Sequence, residues 1–273
     1  MAIDADAFRK FEHDGWQRAA AHYADAFGEI TRKTAGPLLD AASVHSGTRV
    51  LDVATGPGVI AAAAAERGAI VTGLDFSAAM LAEARRRHPT LAFSEGDAEG
   101  LPFGDGSFDA VVMNFGMLHV PRPDAAIAEA HRVLRAGGRF AFTVWAGPDQ
   151  AVGFGLVLAA VQRHGTTDVP LPEGPAFHRF SDPPECVRAL SAAGFERAKV
   201  DTVPILWTLT SAEALFDAVS RGGVRTSALL RGQSPAALEA IRTAVLAEVA
   251  RYAVPGGRFV IPMPAILASA SRR

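Results

Sequence analysis

The chain has 273 residues, of which 49% are hydrophobic and 21% charged, with a formal net charge of −2. That length suffices for one large α/β domain with insertions, and the near-neutral balance carries no electrostatic footprint for nucleic acid or an anionic membrane. The single cysteine, Cys186, excludes an internal disulfide and a multi-cysteine zinc site and suits a reducing compartment.

Met1 is followed by acidic and polar residues rather than a basic and then apolar segment, so no secretory signal is expected. No apolar run reaches the roughly 18–20 residues of a membrane span. The expectation is a cytoplasmic protein. Residues from Asp4 to Ala42 predict two or three helices, broken near Gly15, Gly28 and Gly36-Pro37. They carry Phe8, Phe11, Trp16, Tyr23 and Phe27 and are expected to form a lid over a cavity (residues 1–45), with Tyr23 reaching a bound cofactor.

The core, residues 46–146, starts with Val50-Leu51-Asp52-Val53-Ala54-Thr55-Gly56-Pro57-Gly58. A strand over Arg49–Val53, a glycine turn and a helix over Val59–Arg67 make a cradle, because amides at a helix start point outward unpaired. Gly56, Gly58 and Ala61 also satisfy the dinucleotide pattern G-x-G-x-x-G/A, which would suit an NAD(P)-dependent oxidoreductase. Asp52 argues against a pyrophosphate at that turn, since like charges repel. It suits a ligand carrying positive charge, such as the ammonium and sulfonium of S-adenosylmethionine.

A second strand, Ala69–Leu74, leads to Asp75, which follows Gly58 at close to the spacing of about 20 at which an acid meets ribose hydroxyls. Ser77 is expected to cap a helix reaching Arg87. A third strand, Leu91–Glu95, brings Asp97 to the same rim. A buried fourth strand (Phe108–Asn114), a helix over Pro123–Leu134 ended by Gly137-Gly138, and a fifth strand (Arg139–Trp145) complete an alternation that predicts a parallel sheet with helices on both faces.

After Trp145 the pattern predicts a helix over Gln150–His164 and a loop over Gly165–Phe180. A helix capped by the Asp182 side chain should follow and end at Gly194. Next come a strand over Arg197–Leu209, helices over Ala212–Ser220 and Pro235–Tyr252, and a last strand over Arg258–Ser269 bent by Pro262 and Pro264. No linker divides the chain. The expectation is one domain over residues 1–273, with 147–273 supplying lid insertions and the last two strands.

Five stretches, VLDVATGPG, GLDFS, GDAEGLPF, FDAVVMNFGMLHV and VLRAGGRFAFTVWA, occur in order between Val50 and Ala146. Together they resemble the class I S-adenosylmethionine-dependent methyltransferases, in the type 11 domain branch typified by the ubiquinone/menaquinone-biosynthesis C-methyltransferases. The resemblance implies a Rossmann-like, seven-stranded, mostly parallel sheet of order 3-2-1-4-5-7-6, with helices on both faces. It implies that Gly56 and Gly58 let the backbone approach the methionine part of the cofactor, that Asp52 binds its ammonium directly or through water, and that Thr55 is among the cofactor-binding residues. Asp75 would accept from both ribose hydroxyls, and Asp97 from the adenine amine, with the Ala98 amide donating to the ring. Phe76 would lie beside the adenine, and Asn114 would close the pocket near the methionine backbone.

The expected function is in-line methyl transfer to a small, apolar or aromatic metabolite, with His119 as the candidate general base where the acceptor must lose a proton. The alternatives are a catalytically silent S-adenosylmethionine-binding protein and, further off, the oxidoreductase. None of the eight histidines forms a metal-binding pattern, so no metal is expected. Phe8, Phe11, Trp16, Phe154, Phe177, Phe180, Trp207 and Phe216 lie outside the cofactor stretches, and an apolar acceptor follows if half of them face inward.

Overall fold

The computed structural model describes residues 4–273. The chain opens with α1 (Ala5–Arg32), whose N-terminus is capped by Asp4 accepting from the amides of Asp6 and Ala7 at 3.2 and 3.0 Å. One unbroken helix therefore runs through Gly15 and Gly28, where breaks were expected. Gly15 serves close packing instead: a Cβ there would stand 2.3 Å from Val224 Cγ1. A glycine costs a helix only about 1 kcal/mol relative to alanine, which tertiary packing of a long amphipathic face absorbs. That face carries Phe8, Glu12, Trp16, Tyr23 and Phe27 at helical spacing. The Gly36-Pro37 pair, also expected as a break, lies in the first turn of α2 (Ala35–Ala41), where a missing amide leaves no bond unmade.

The central alternation follows the sequence expectation closely: β1 (Arg49–Val53), α3 (Val59–Glu66), β2 (Ile70–Asp75), α4 (Ala78–Arg87, capped by Ser77), β3 (Ala92–Glu95) and β4 (Phe108–Asn114). Helix α5 (Pro123–Val133) ends before the glycines expected to stop it and passes directly into β5 (Leu134–Trp145). Its last carbonyls are met by the guanidinium of Arg272, whose Nη1 donates to His131 at 2.9 Å and Arg132 at 2.7 Å and also reaches Leu134. Gly137 and Gly138 instead occupy the irregular start of β5, where the register on β4 shifts between Phe108 and Ala110.

The second half departs more. It contains α6 (Val152–His164), α7 (Pro183–Ala192), β6 (Glu196–Val203), β7 (Leu206–Leu209), α8 (Glu213–Gly222), α9 (Arg225–Arg231), α10 (Pro235–Val249), β8 (Ala253–Val254), β9 (Arg258–Pro262) and β10 (Ala265–Ser271). The single strand expected over Arg197–Leu209 is two strands, split at Pro204, and the one over Arg258–Ser269 is two, split after Pro262. A proline donates nothing to a ladder, so at each split the chain leaves one sheet for another. The two crossings lie side by side, with the Met263 amide donating to the Ile205 carbonyl at 2.8 Å. Helix α9 was not anticipated. Asp182 stands at the N-cap of α7, but its side chain makes no capping bond; its carbonyl takes the amides of Glu185 and Cys186.

Seven strands form the main sheet in the order β3-β2-β1-β4-β5-β10-β6, and β7-β9-β8 form a separate sheet of three. The main order is the expected one, with the last strand of the chain between the fifth and sixth and antiparallel to both. Right-handed crossovers running outward in opposite directions from the β1–β4 pair place α3 and α4 on one face and α5 on the other. Accordingly, α3 packs with α2, and α5 with α7. Leu51, Val111, Val112, Phe140 and Phe142 fill the middle of the sheet, fully buried. Among the described residues no helix is long and apolar enough to cross a membrane.

The two glycines of α1 are expected to answer oppositely to alanine. At Gly28 no atom lies within 4 Å of an added Cβ, so Gly28→Ala should stabilise by about 0.5–1 kcal/mol. Gly15→Ala drives a methyl into Val224 and should destabilise by about 1–3 kcal/mol despite the same propensity gain. Urea denaturation of both variants measures the contrast; equal shifts would show that Gly15 is not a packing residue.

Candidate active site

The sheet order reverses between β1 and β4, and in open α/β sheets the crevice at the carboxyl ends of the strands at such a switch point is where ligands bind. Here the chain ends of β1, β2 and β4, with the loop after β3, wall a cavity that α1 closes with Arg9, Trp16, Tyr23, Phe27 and Thr31. Two residues that are not glycine take left-handed backbone at this rim, Ala54 (φ 55°) after β1 and Phe115 (φ 54°) after β4, and both line the cavity. Such backbone is strained and concentrates where the surrounding structure holds a functional geometry.

Asp52, near the end of β1, is 1% exposed. Its Oδ2 accepts from Thr55 Oγ1 at 2.6 Å, while its Oδ1 has no partner. Burial pushes this carboxyl up to about 7, with the Thr55 hydroxyl opposing and the charge of Asp75 adding to the rise. Asp75, the last residue of β2, accepts from the amides of Gly56 at 2.8 Å and Ser77 at 2.9 Å. Burial raises it to about 6, against the pull of those amides. The turn between them works through its glycines in different ways. Gly56 (φ 54°) has no atom within 4 Å of a notional Cβ and stands in the cavity wall. Gly58 (φ 83°) does not line the cavity; a Cβ there would press on His88 and Phe93 at 3.0 Å, so it shapes the turn and the start of α3.

The other candidate residues converge on the same cavity. Tyr23, Thr55, Phe76, Asp97, Ala98, Asn114 and His119 all line it. Tyr23 meets Trp16 edge-on at 5.4 Å, and Phe76 meets His13 at 5.6 Å. Asp97 is not free: Oδ2 accepts from Arg9 Nε at 2.8 Å, and Oδ1 from the Glu99 amide at 2.8 Å. Asn114 is knitted into the frame, its Oδ1 accepting from Thr34 and Thr143 hydroxyls at 2.7 and 2.6 Å and its Nδ2 donating to the Thr31 carbonyl at 3.2 Å. It joins α1, β4 and β5 more than it presents a polar group to a ligand.

His119 stands in a short turn, Met117–His119, after β4. Its Nδ1 lies 3.0 Å from Oε2 of Glu12, an α1 residue with no exposed surface. Trp16 stands edge-on to its ring at 4.8 Å. The other Glu12 oxygen, Oε1, has no hydrogen-bond partner and lies 4.0 Å from Arg225 Nε. Arg225 is held over the rings of Phe8 and Phe177 at 5.0 and 5.5 Å, and its Nη2 donates to the Pro175 carbonyl at 3.0 Å. Its Nη1 is buried and unpartnered.

Glu12, Arg9 and Arg225 were not reached from the sequence. Glu12 left a readable signal, an acid on the apolar stripe of a helix, whereas tertiary contacts alone bring Asp97 and Glu99 to Arg9 and Glu12 to Arg225. Of the eight rings expected to report on the acceptor, Trp16, Phe154 and Phe177 line the cavity, fewer than half, while Phe27, Phe115 and Trp145 supply further aromatic wall.

Residues 51–142 match the family profile described as a methyltransferase domain. A demethylmenaquinone methyltransferase of Beutenbergia cavernae is 46% identical over 123 residues, covering 43% of this chain and 51% of that protein. A ubiquinone/menaquinone biosynthesis C-methyltransferase of Methylobacterium nodulans is 49% identical over 100 residues, 34% of this chain and 40% of its own. The chain thus spans about half the length of the curated relatives it matches. Over nearly the whole chain, 97%, the fold superposes on 60% of phosphoethanolamine N-methyltransferase 2 of Haemonchus contortus, with a TM-score of 0.59 at 20% identity. Matched residues and strand order agree: residues 51–142 form a methyltransferase domain, similar in sequence to demethylmenaquinone and ubiquinone/menaquinone-biosynthesis methyltransferases.

Proposed function

We propose that the protein transfers a methyl group from S-adenosylmethionine to a small, largely apolar or aromatic metabolite. The observation that carries this reading is the buried, unpartnered Oδ1 of Asp52 at the switch point, one β-strand from a second buried carboxylate, Asp75. A carboxylate held without a cation is matched by a ligand bearing an ammonium, and the wall fits that group. Asp52 would take the ammonium. Asp75 keeps lone pairs beyond those used by Gly56 and Ser77 and would take the ribose hydroxyls. Asp97, shared with Arg9, would take the adenine amine beside the Ala98 amide, with Phe76 against the ring. Tyr23, Thr55 and Gly56 would close around the methionine part.

When bound, the cofactor supplies an electrophilic methyl group. The chain's own contribution is alignment and exclusion of water by Trp16, Tyr23, Phe154 and Phe177. His119 is placed to receive a proton where the acceptor has one to lose. The relatives named for demethylmenaquinone support a metabolite acceptor. A pyrophosphate beside Asp52 would meet like charge, which disfavours the oxidoreductase alternative, and the named relatives, all methyltransferases, do not favour a silent binder. The reading keeps the protein in the cytoplasm, which the lone buried Cys186 suits.

Two outcomes follow from the carboxylates. Because Asp52 is neutral below about pH 7 and a bound ammonium favours its ionised form, affinity for S-adenosylhomocysteine should fall about tenfold for each pH unit below 7 and level off above it. Calorimetric titration from pH 5.5 to 8.5 measures this. Asp75→Ala should weaken binding more than tenfold at pH 8, and thermal stabilisation by NADH in place of S-adenosylhomocysteine would refute the reading.

The second outcome concerns the ligand-free protein. A carboxyl whose folded pKa is raised stabilises the fold fully only below its unfolded pKa, and that contribution is lost as pH rises through the folded value, here between about pH 4 and 7. Asp52→Asn should therefore gain stability over the wild type at pH 8 and show little difference at pH 4. Denaturation curves at both pH values are the check; a loss at pH 8 would mean that Asp52 is ionised and compensated in the free protein.

A further inference from the structure

Methyl transfer alone does not explain why an acid is buried on the apolar stripe of α1. An uncompensated buried carboxylate is destabilising, and Glu12 is only half compensated: one oxygen faces His119 and the other has no hydrogen bond. A neutral imidazole whose Nδ1 donates to a carboxylate carries its lone pair on Nε2, so Glu12 selects the tautomer in which His119 accepts a proton. Arg225 poses the matching question. Its guanidinium stays protonated, rests on two aromatic rings and has one buried nitrogen with nothing to donate to. His119 and Arg225 both line the cavity, and both lie against Phe177.

We propose that Glu12, His119 and Arg225 form an acceptor subsite that deprotonates a phenolic or enolic hydroxyl. This rests on the methyltransferase reading and narrows its substrate class. The acceptor O–H bond breaks, the proton goes to His119 Nε2, and the electron pair stays on the oxygen, which Arg225 faces. Charge is matched at each stage. Before transfer, Glu12 and Arg225 offset one another across 4.0 Å. Afterwards the imidazolium lies against Glu12, and the oxyanion against Arg225. A carboxylate acceptor has no such proton to give, and an ammonium would meet Arg225. Asp75 lies close enough to His119 to feel its charge, and His178 close enough to Arg225. His119 is the catalytic residue, and Glu12 is a positioning residue acting through it.

The test uses 4-nitrophenol, whose colour reports ionisation, added to protein saturated with S-adenosylhomocysteine at a pH where the free phenol is mostly protonated. Bound probe is expected as the coloured anion. His119→Gln and Arg225→Met should each cut the ionised fraction of bound probe at least about tenfold, the scale of one pKa unit for a lost neighbouring charge or base. Glu12→Leu should do the same, with Glu12→Gln, which keeps an acceptor for Nδ1–H, restoring part of it.

Nitrogen-15 NMR of the neutral His119 ring should find the proton on Nδ1 in wild type and Glu12→Gln and displaced from it in Glu12→Leu. If Glu12→Leu does not fold, the double variant Glu12→Leu/Arg225→Met removes both buried charges together and should fold, bind S-adenosylhomocysteine and leave the probe protonated. Unaltered S-adenosylhomocysteine binding with a protonated probe on the wild type would overturn the subsite while leaving the methyltransferase reading intact. Loss of S-adenosylhomocysteine binding in the wild type would instead overturn that reading.

Discussion

Two carboxylates kept from water at the same edge of one sheet are the constraint around which this molecule is built. Asp52 and Asp75 lie at the carboxyl ends of adjacent parallel strands, Asp52 one residue before the last, with Asp52 pairing with Gly73 and Val53 with Leu74 in register, so neither can move away from the other without breaking the ladder. Both are buried, and the nearest compensation is a threonine hydroxyl and a few amides. The apolar burial along β1 and β4 holds this arrangement in place; both strands are buried along nearly their whole length. The unpaired acid at the switch point costs the fold stability and leaves an oxygen complementary in charge to a cation.

Helix α1 supplies one wall of the cavity at that edge. Because it runs unbroken, its rise of 1.5 Å per residue fixes Arg9 and Thr31 about 33 Å apart as one rigid unit. At one end Arg9 bridges Asp97 and Glu99, the latter also bound by Arg122. In the next turn Glu12 meets His119, and further along Gln17 accepts from the Ser77 hydroxyl and the Ala79 amide at the start of α4. Tyr23, Phe27 and Thr31 continue the wall. Had the helix broken at Gly15, the acid that meets His119 and the rings that line the cavity would belong to separate pieces, with no fixed relation between them.

How much of this was legible follows from how local each feature is. The glycine turn, the five alternating strands and the acids Asp52, Asp75 and Asp97 are local patterns, and their places in the sheet follow from handed crossovers and short connections. The side sheet was missed because Pro204 and Pro262 read as irregularities within long strands, when each marks a change of sheet. Gly58 belongs to the glycine motif yet turns away from the cavity; nothing in a sequence separates a glycine that a ligand approaches from one that His88 and Phe93 crowd. Arg9 and Arg225 are ordinary basic residues until tertiary contacts give them Asp97 and Glu12.

The two ends of the cavity therefore have different origins in the chain. Every residue proposed to hold the cofactor except Tyr23 lies within residues 51–142, the stretch that matches the methyltransferase domain. At the other end, Glu12, Phe177 and Arg225 lie outside it, carried by α1, by the loop after α6 and by the start of α9. Only His119 belongs to both, standing on the turn after β4 with its ring against Trp16 and its Nδ1 on Glu12. Likeness to relatives over the core therefore speaks for the donor. The acceptor is a matter of charge and contact at the far wall, where a buried acid, an imidazole and a guanidinium with an unused donor are complementary to an oxygen that gives up its proton.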